Sequence, residues 1–256
     1  MSEENTLGAF EHLTKGNIEL YHMDDPAQAI KYVYYLLTKM IDRQTVMFIN
    51  HGDYILNLFE LIAQYETMDP YSVVMSEEIL GEPFHLESIE LMYQERGLLD
   101  LLSKRGVPFF RILSRAPSLE GTVRIYSNRI EEILAKSQNM HAFVELQSDG
   151  SLGGIRPRDD IHKGLYEDRG DLFKNYIVGF RHEGQRGETR RVTLSMLTLR
   201  RMNHVWVFAF GKDKKKMVKL LLSGSRKSPA DNPILYLNSL NSKVYLFTDQ
   251  SVSKSR

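Results

Sequence analysis

The sequence predicts an α/β fold with a mainly parallel sheet flanked by helices on both faces. Three observations lead there. Short apolar runs such as TVMFI, HAFVEL and HVWVFAF alternate with longer segments of helical periodicity, the pattern of repeated strand–helix units. The apolar runs lack in/out alternation, as strands covered on both faces do. The chain has 256 residues, 42% hydrophobic and 26% charged, enough for one substantial core.

The elements follow in order. DDPAQAIKYVYYLLTKMID reads as a helix, with Asp24 or Asp25 as its cap and Pro26 in its first turn. Ala29, Ile30, Val33, Leu36, Leu37 and Met40 recur at helical spacing. QTVMFIN reads as a buried strand, DYILNLFELIAQYE as a second helix, and YSVVMSEE as a second strand. HLESIELMYQERGLLDLLSKRG is helical and broken near Gly97, and VPFFRILS follows as a strand. GTVRIYSNRIEEILAKS is a helix and HAFVEL a strand. RRVTLSMLTLRRM has apolar residues at mixed spacing and reads as core. HVWVFAFG, carrying Trp206, is a strand, KDKKKMVKLLLSG a helix and KVYLFTD the last strand. The expected organisation is a loose segment over 1–16, a single domain over 17–252 and a tail over 253–256.

Composition excludes several classes of function. The chain has no cysteine, so disulfides, thiolate catalysis and cysteine-held metals are ruled out. The histidines show no H-x-H or H-x-x-x-H spacing, and no metal is expected. There is no G-x-G-x-x-G, no phosphate-binding G-x-x-x-x-G-K-[ST] and no G-x-S-x-G. No stretch reaches the roughly 18–20 apolar residues of a membrane span, and the N-terminus lacks a secretory pattern. A cytoplasmic protein without membrane contact is expected. The net charge is zero, yet residues 1–128 hold 19 acidic and 10 basic side chains and residues 129–256 hold 14 and 23. The acidic half argues against nucleic acid, and the basic half suits a small anionic ligand. No sequence feature names a protein partner.

In a parallel sheet, ligands bind beyond the carboxyl ends of the strands. The loops to search are therefore 50–54, 76–82, 147–157 and 211–215.

The C-terminal stretch RRVTLSMLTLRRMNHVWVFAFGKDKKKMVKLLLSG contains Arg191, Val192, Thr193 and Leu194, then Gly211 and Lys214 before a helix. These match an R-[IV]-T-L segment and a later G-x-x-K. PFHLESIELMYQE resembles a P-x-D-H-P-x-S-N segment, with Ser88 at the serine. In these segments and their order, from about Tyr21 to Val252, the chain resembles the 6-phosphogluconolactonase/glucosamine-6-phosphate deaminase family, nearer the lactonase branch. The resemblance implies that family's fold, a sugar-phosphate ligand such as 6-phosphogluconate, an ester hydrolase of the pentose phosphate pathway, and no cofactor.

Carried over by position, the resemblance also marks departures. The family's first loop is S-G-G-S-T-P, whose amides receive the phosphate; here Asn50, His51, Gly52 and Asp53 stand there. Asp53 brings a negative charge to an anion site, a repulsion of about 3 kcal/mol at ~5 Å and an effective dielectric of ~20. It is equally a helix-capping residue type. The second loop is D-E-R or D-E-Y in the family and Ser76, Glu77, Glu78 here, so Glu77 alone matches. The third loop is G-x-G-x-D-G-H. Ungapped, Asp149 and Gly150 match and Ser151 stands at the histidine. That histidine is the implied base, and serine does not take a proton near neutral pH unaided. A second register places His162 near the motif. Arg190 or Arg191, with Lys214 and Gly52, are the implied phosphate contacts.

Three loops thus each lack a residue the family's chemistry needs. The expectation is a catalytically degenerate relative that keeps the fold, with weak sugar-phosphate binding or a regulatory role. The alternative is a working lactonase with a non-standard site, in which Asp149, Glu77 or His162 supplies the base. A third reading is a binding domain that acts through a protein surface.

Overall fold

The structure is a computed structural model that describes residues 10–65, 68–114, 118–157, 175–184 and 187–251. The strands are β1 (Glu11–Lys15), β2 (Ile18–His22), β3 (Thr45–Ile49), β4 (Ser72–Met75), β5 (Glu77–Ile79), β6 (Phe109–Phe110), β7 (Asn139–Glu145), β8 (Ile177–Gly184), β9 (Gly187–Leu194), β10 (His204–Ala209) and β11 (Lys243–Thr248). The helices are α1 (Pro26–Leu37), α2 (Asp53–Tyr65), α3 (Ile89–Glu95), α4 (Leu98–Lys104), α5 (Leu119–Lys136), α6 (Met196–Arg200) and α7 (Lys215–Leu222).

Eight strands form the main sheet in the order β1-β2-β11-β10-β7-β3-β4-β6. All neighbours are parallel except the β1–β2 hairpin. A second sheet, β5-β9-β8, is antiparallel. β3 and β4 are buried along their whole length, which is why their sequences read as unbroken apolar runs: helices cover both faces.

Local chemistry sets the boundaries. The Asp25 carboxylate accepts the Ala27 N–H at 2.9 Å and Pro26 opens α1. α1 then buries Ala29, Ile30, Val33 and Leu37. The predicted break falls at Gly97, whose φ of +74° ends α3 and starts α4. In the core, Trp206 on β10 stacks on Tyr245 of β11 at 4.3 Å and lies parallel to Phe143 of β7 at 6.2 Å. These are in-register neighbours. The Trp206 indole N–H donates to His141 Nδ1 at 3.0 Å, and His141 Nε2 lies 3.0 Å from Asn139 Oδ1. Both His141 nitrogens are thereby used, and burial drives its pKa down to about 3.

The structure differs from the sequence reading at several elements. Glu11–Lys15, in the segment read as loose, forms β1, an exposed edge strand that among the described residues pairs only with β2. The strand read from VPFFRILS is only Phe109–Phe110, an edge strand preceded by Pro108, which has no N–H to give. RRVTLSMLTLRRM splits: β9 ends at Leu194, and Ser195 accepts the Thr198 N–H at 3.3 Å to start α6. Lys212–Lys214 is a turn of 3-10 helix that runs into α7. The tail 253–256 and residues 1–9 lie outside the described residues. Among the described residues, no helix is long and apolar enough to cross a membrane.

Candidate functional site

The carboxyl ends of β3, β4 and β7 meet the second sheet at a cleft of about 250 Å³. Its wall contains Asn50 and His51 from the first loop, Glu77 and Arg191 from the second sheet, and Glu145, Gln147, Asp149, Ser151 and Arg156 from β7 and the third loop.

Glu77 is the centre of this wall. β5 pairs antiparallel with β9, Glu77 opposite Thr193 and Ile79 opposite Arg191. Glu77 and Arg191 are therefore diagonal neighbours on one face. Arg191 Nη1 lies 3.5 Å from Glu77 Oε2. Asn50 Nδ2 donates to Glu77 Oε1 at 3.1 Å, and His51 Nδ1 lies 3.9 Å from the same oxygen. Glu77 is only 5% exposed, so its charge is held by donors rather than water. Arg191 Nε is buried and has no hydrogen-bond partner among the described residues. Strand alternation decides between the two arginines: Arg191 lines the cleft, and Arg190 is exposed outside it.

The same alternation turns Glu78 away. It is buried, and its carboxylate accepts from the Ile89 N–H at 2.8 Å, the Glu90 N–H at 2.9 Å and Ser88 Oγ at 3.0 Å. Glu78 is an anchor for the start of α3. Ser88 caps the same helix by accepting the Leu91 N–H at 3.2 Å. Ser76 is buried, its Oγ without a partner among the described residues, and its carbonyl accepts Thr193 Oγ1 at 3.2 Å.

The third loop folds down onto the Glu77–Arg191 pair. A Cβ on Gly154 would sit 2.3 Å from Glu77 Oε2 and 2.9 Å from Arg191 Nη1. Only glycine permits that approach, and its φ of +76° suits glycine too. Earlier in the loop, Ser151 Oγ and the Ser151 N–H donate to Asp149 Oδ1, at 2.6 and 2.9 Å. Asp149 thus shapes its own turn while its side chain stands at the cleft. His162 lies outside the described residues.

The first loop holds a feature the sequence reading passed over. Glu145, the last residue of β7, reaches across to the start of α2, where its Oε2 accepts the Tyr54 N–H at 3.3 Å. β3 and β7 are adjacent in the sheet, which brings the two together. The Glu145 carboxyl is pushed above its usual range, first by burial and further by Asp53, against the attraction of the Tyr54 N–H, His51 and Lys214. Asp53 is the first residue of α2, and its side chain is 84% exposed, with Arg96 3.9 Å away. Its charge there favours the helix start, but among the described residues it accepts no capping bond.

Lys214 does not line the cleft. Its ammonium donates to Asp213 Oδ2 at 2.8 Å, close enough to Glu145 for its charge to be felt. Arg156 and Gln147 were not singled out from the sequence; both follow from the third loop's position over a strand end. Glu145 had a legible signal: a charged residue closing the apolar run HAFVEL, on the ungapped position of the motif's first glycine. Among the described residues, no group of three or more His, Asp or Glu side chains is placed to hold a metal ion.

No family model matches the sequence, and no curated protein matches it. Solved structures do match. A 6-phosphogluconolactonase from Plasmodium vivax superposes with a TM-score of 0.74 at 15% identity, over 94% of this chain and 94% of that one. One from Shewanella baltica gives 0.71 at 12% identity, over 93% and 99%. A monomeric glucosamine-6-phosphate deaminase of the NagB superfamily gives 0.69 at 15% identity, over 90% and 96%. The resemblance read from the sequence and the architecture of the chain therefore agree: the protein has the fold shared by 6-phosphogluconolactonases and the NagB-superfamily deaminase.

Proposed function

We propose that the protein binds a sugar phosphate of the 6-phosphogluconate type in this cleft, weakly, and has lost most or all lactonase chemistry. The observation that carries this reading is Ser151. It stands where the resemblance puts the catalytic histidine, and its hydroxyl is spent on Asp149 at 2.6 Å. A serine so held offers no base near neutral pH. Arg191 supports the binding part: it reaches the cleft with a buried Nε that has no hydrogen-bond partner among the described residues, and guanidinium is well suited to phosphate. Glu77 beside it takes up part of that charge, which suits weak affinity. Binding of 6-phosphogluconate measured by calorimetry, and lost in Arg191→Ala, would support the reading; an unchanged affinity in that variant would defeat it.

A second reading is favoured by His51. Its imidazole lines the cleft 3.9 Å from Glu77 Oε1, too far for a hydrogen bond but near enough that a small shift would let the carboxylate orient a histidine base. On that reading the protein is a lactonase whose base comes from the first loop. Loss of lactone hydrolysis in His51→Ala, with 6-phosphogluconate binding kept, would select it.

A further inference from the structure

Glu145 fills the space beside Gly52 of the first loop. A Cβ on Gly52 would lie 2.3 Å from Glu145 Oε2 and 2.8 Å from Glu145 Cβ. The lack of a side chain at Gly52 thus makes room for this chain's own glutamate. The carboxylate takes the Tyr54 N–H in the first turn of α2, and it also lines the cleft together with Arg191, Arg156 and His51. An ordinary helix cap comes from the residue just before the helix. This one comes from a different strand and projects into a cleft that presents cations. Its charge is felt by Tyr54, whose hydroxyl is pushed up by burial and by Glu145, Asp249, Asp53 and Asp213 together.

We propose that Glu145 is the specificity-determining residue of the cleft: a tethered carboxylate that competes with the ligand's anionic group for the first loop and so weakens phosphate binding. This rests on reading the cleft as a sugar-phosphate site. The competition is intramolecular, so it acts at every ligand concentration. A second anion at the same amide would also meet direct like-charge repulsion.

The test is calorimetric titration of wild type, Glu145→Gln and Glu145→Gly with inorganic phosphate, 6-phosphogluconate and gluconate. Glu145→Gly is expected to bind inorganic phosphate at least about tenfold more tightly than wild type, the loss of one close like charge. Glu145→Gln, which keeps the bulk and loses the charge, is expected to fall between. Gluconate, a monoanion through its carboxylate alone, should gain less than phosphate. A folded Glu145→Gly that binds phosphate no better than wild type overturns the proposal. If that variant fails to fold, Glu145→Gln decides alone: tighter phosphate binding supports the proposal and unchanged binding overturns it. The two readings separate cleanly. If Glu145→Gly gains phosphate but no variant binds 6-phosphogluconate, Glu145 holds the anion position and the sugar-phosphate reading is wrong. If wild type binds 6-phosphogluconate and the variants bind it no better, the sugar-phosphate reading stands and the role of Glu145 is wrong.

Discussion

Glu145 and Gly52 occupy one space: the carboxylate of the first lies where a side chain on the second would stand, 2.3 Å from the ideal Cβ position. Gly52→Ala should therefore destabilise the fold by about 1–3 kcal/mol, the usual cost of forcing atoms into a packed site. Glu145→Gly should recover most of that loss, because the clash needs both side chains. A double-mutant cycle by urea denaturation reads the coupling directly. Additive effects of the two changes would contradict the geometry.

The adjacent glutamates of β5 should behave differently. Glu78→Ala removes the acceptor for the Ile89 and Glu90 amides and Ser88 Oγ, leaving the first two amides of α3 without a side-chain partner beside the Ser88 cap. A loss of about 2 kcal/mol is expected from the unsatisfied buried donors, with ligand affinity unchanged. Glu77→Ala leaves Arg191 and Asn50 without their shared carboxylate. It should cost about 3 kcal/mol and change affinity for 6-phosphogluconate as well. Denaturation and calorimetry on the two variants would separate the structural glutamate from the one in the cleft.

His141 makes stability depend on pH. Its folded pKa is about 3 and its ordinary value is 6.5. Between those values the unfolded chain binds a proton that the folded chain does not. Stability is therefore full above pH 6.5 and falls as pH drops through 6.5 towards 3. The loss at pH 5 is about 2 kcal/mol from this group, and His204, lowered by burial and by Lys243, acts in the same direction. His141→Gln should be less stable at neutral pH yet show a flatter profile from pH 6.5 to 5. A variant profile parallel to wild type would exclude His141 as the cause.

Much of this fold is legible in the sequence because local signals agree with the tertiary ones. TVMFI and HVWVFA are apolar throughout because both faces of β3 and β10 are covered. Asp25, Gly97 and the periodicity of α2 mark boundaries by local chemistry alone. The β1–β2 hairpin and the β5-β9-β8 sheet were harder to read, since β1 is exposed and polar and β5 has only 3 residues. At the site, Asn50, His51, Glu77, Asp149 and Ser151 were legible as positions on strand-end loops and Arg191 through the family-like R-[IV]-T-L segment, and they do meet in one cleft. The inward turn of Glu77 and outward turn of Glu78 needed the strand pairing. The Glu145–Gly52 contact needed the adjacency of β3 and β7, which no local pattern encodes.

On the function proposed for this cleft, a ligand position is kept and the base is lost. The most direct measurement is hydrolysis of freshly prepared 6-phosphogluconolactone at micromolar protein, corrected for spontaneous opening, with wild type, Asp149→Ala and His51→Ala side by side. A rate at or close to background is expected for all three folded proteins. A wild-type rate well above background that falls in either variant would contradict it and make this cleft a working lactonase site.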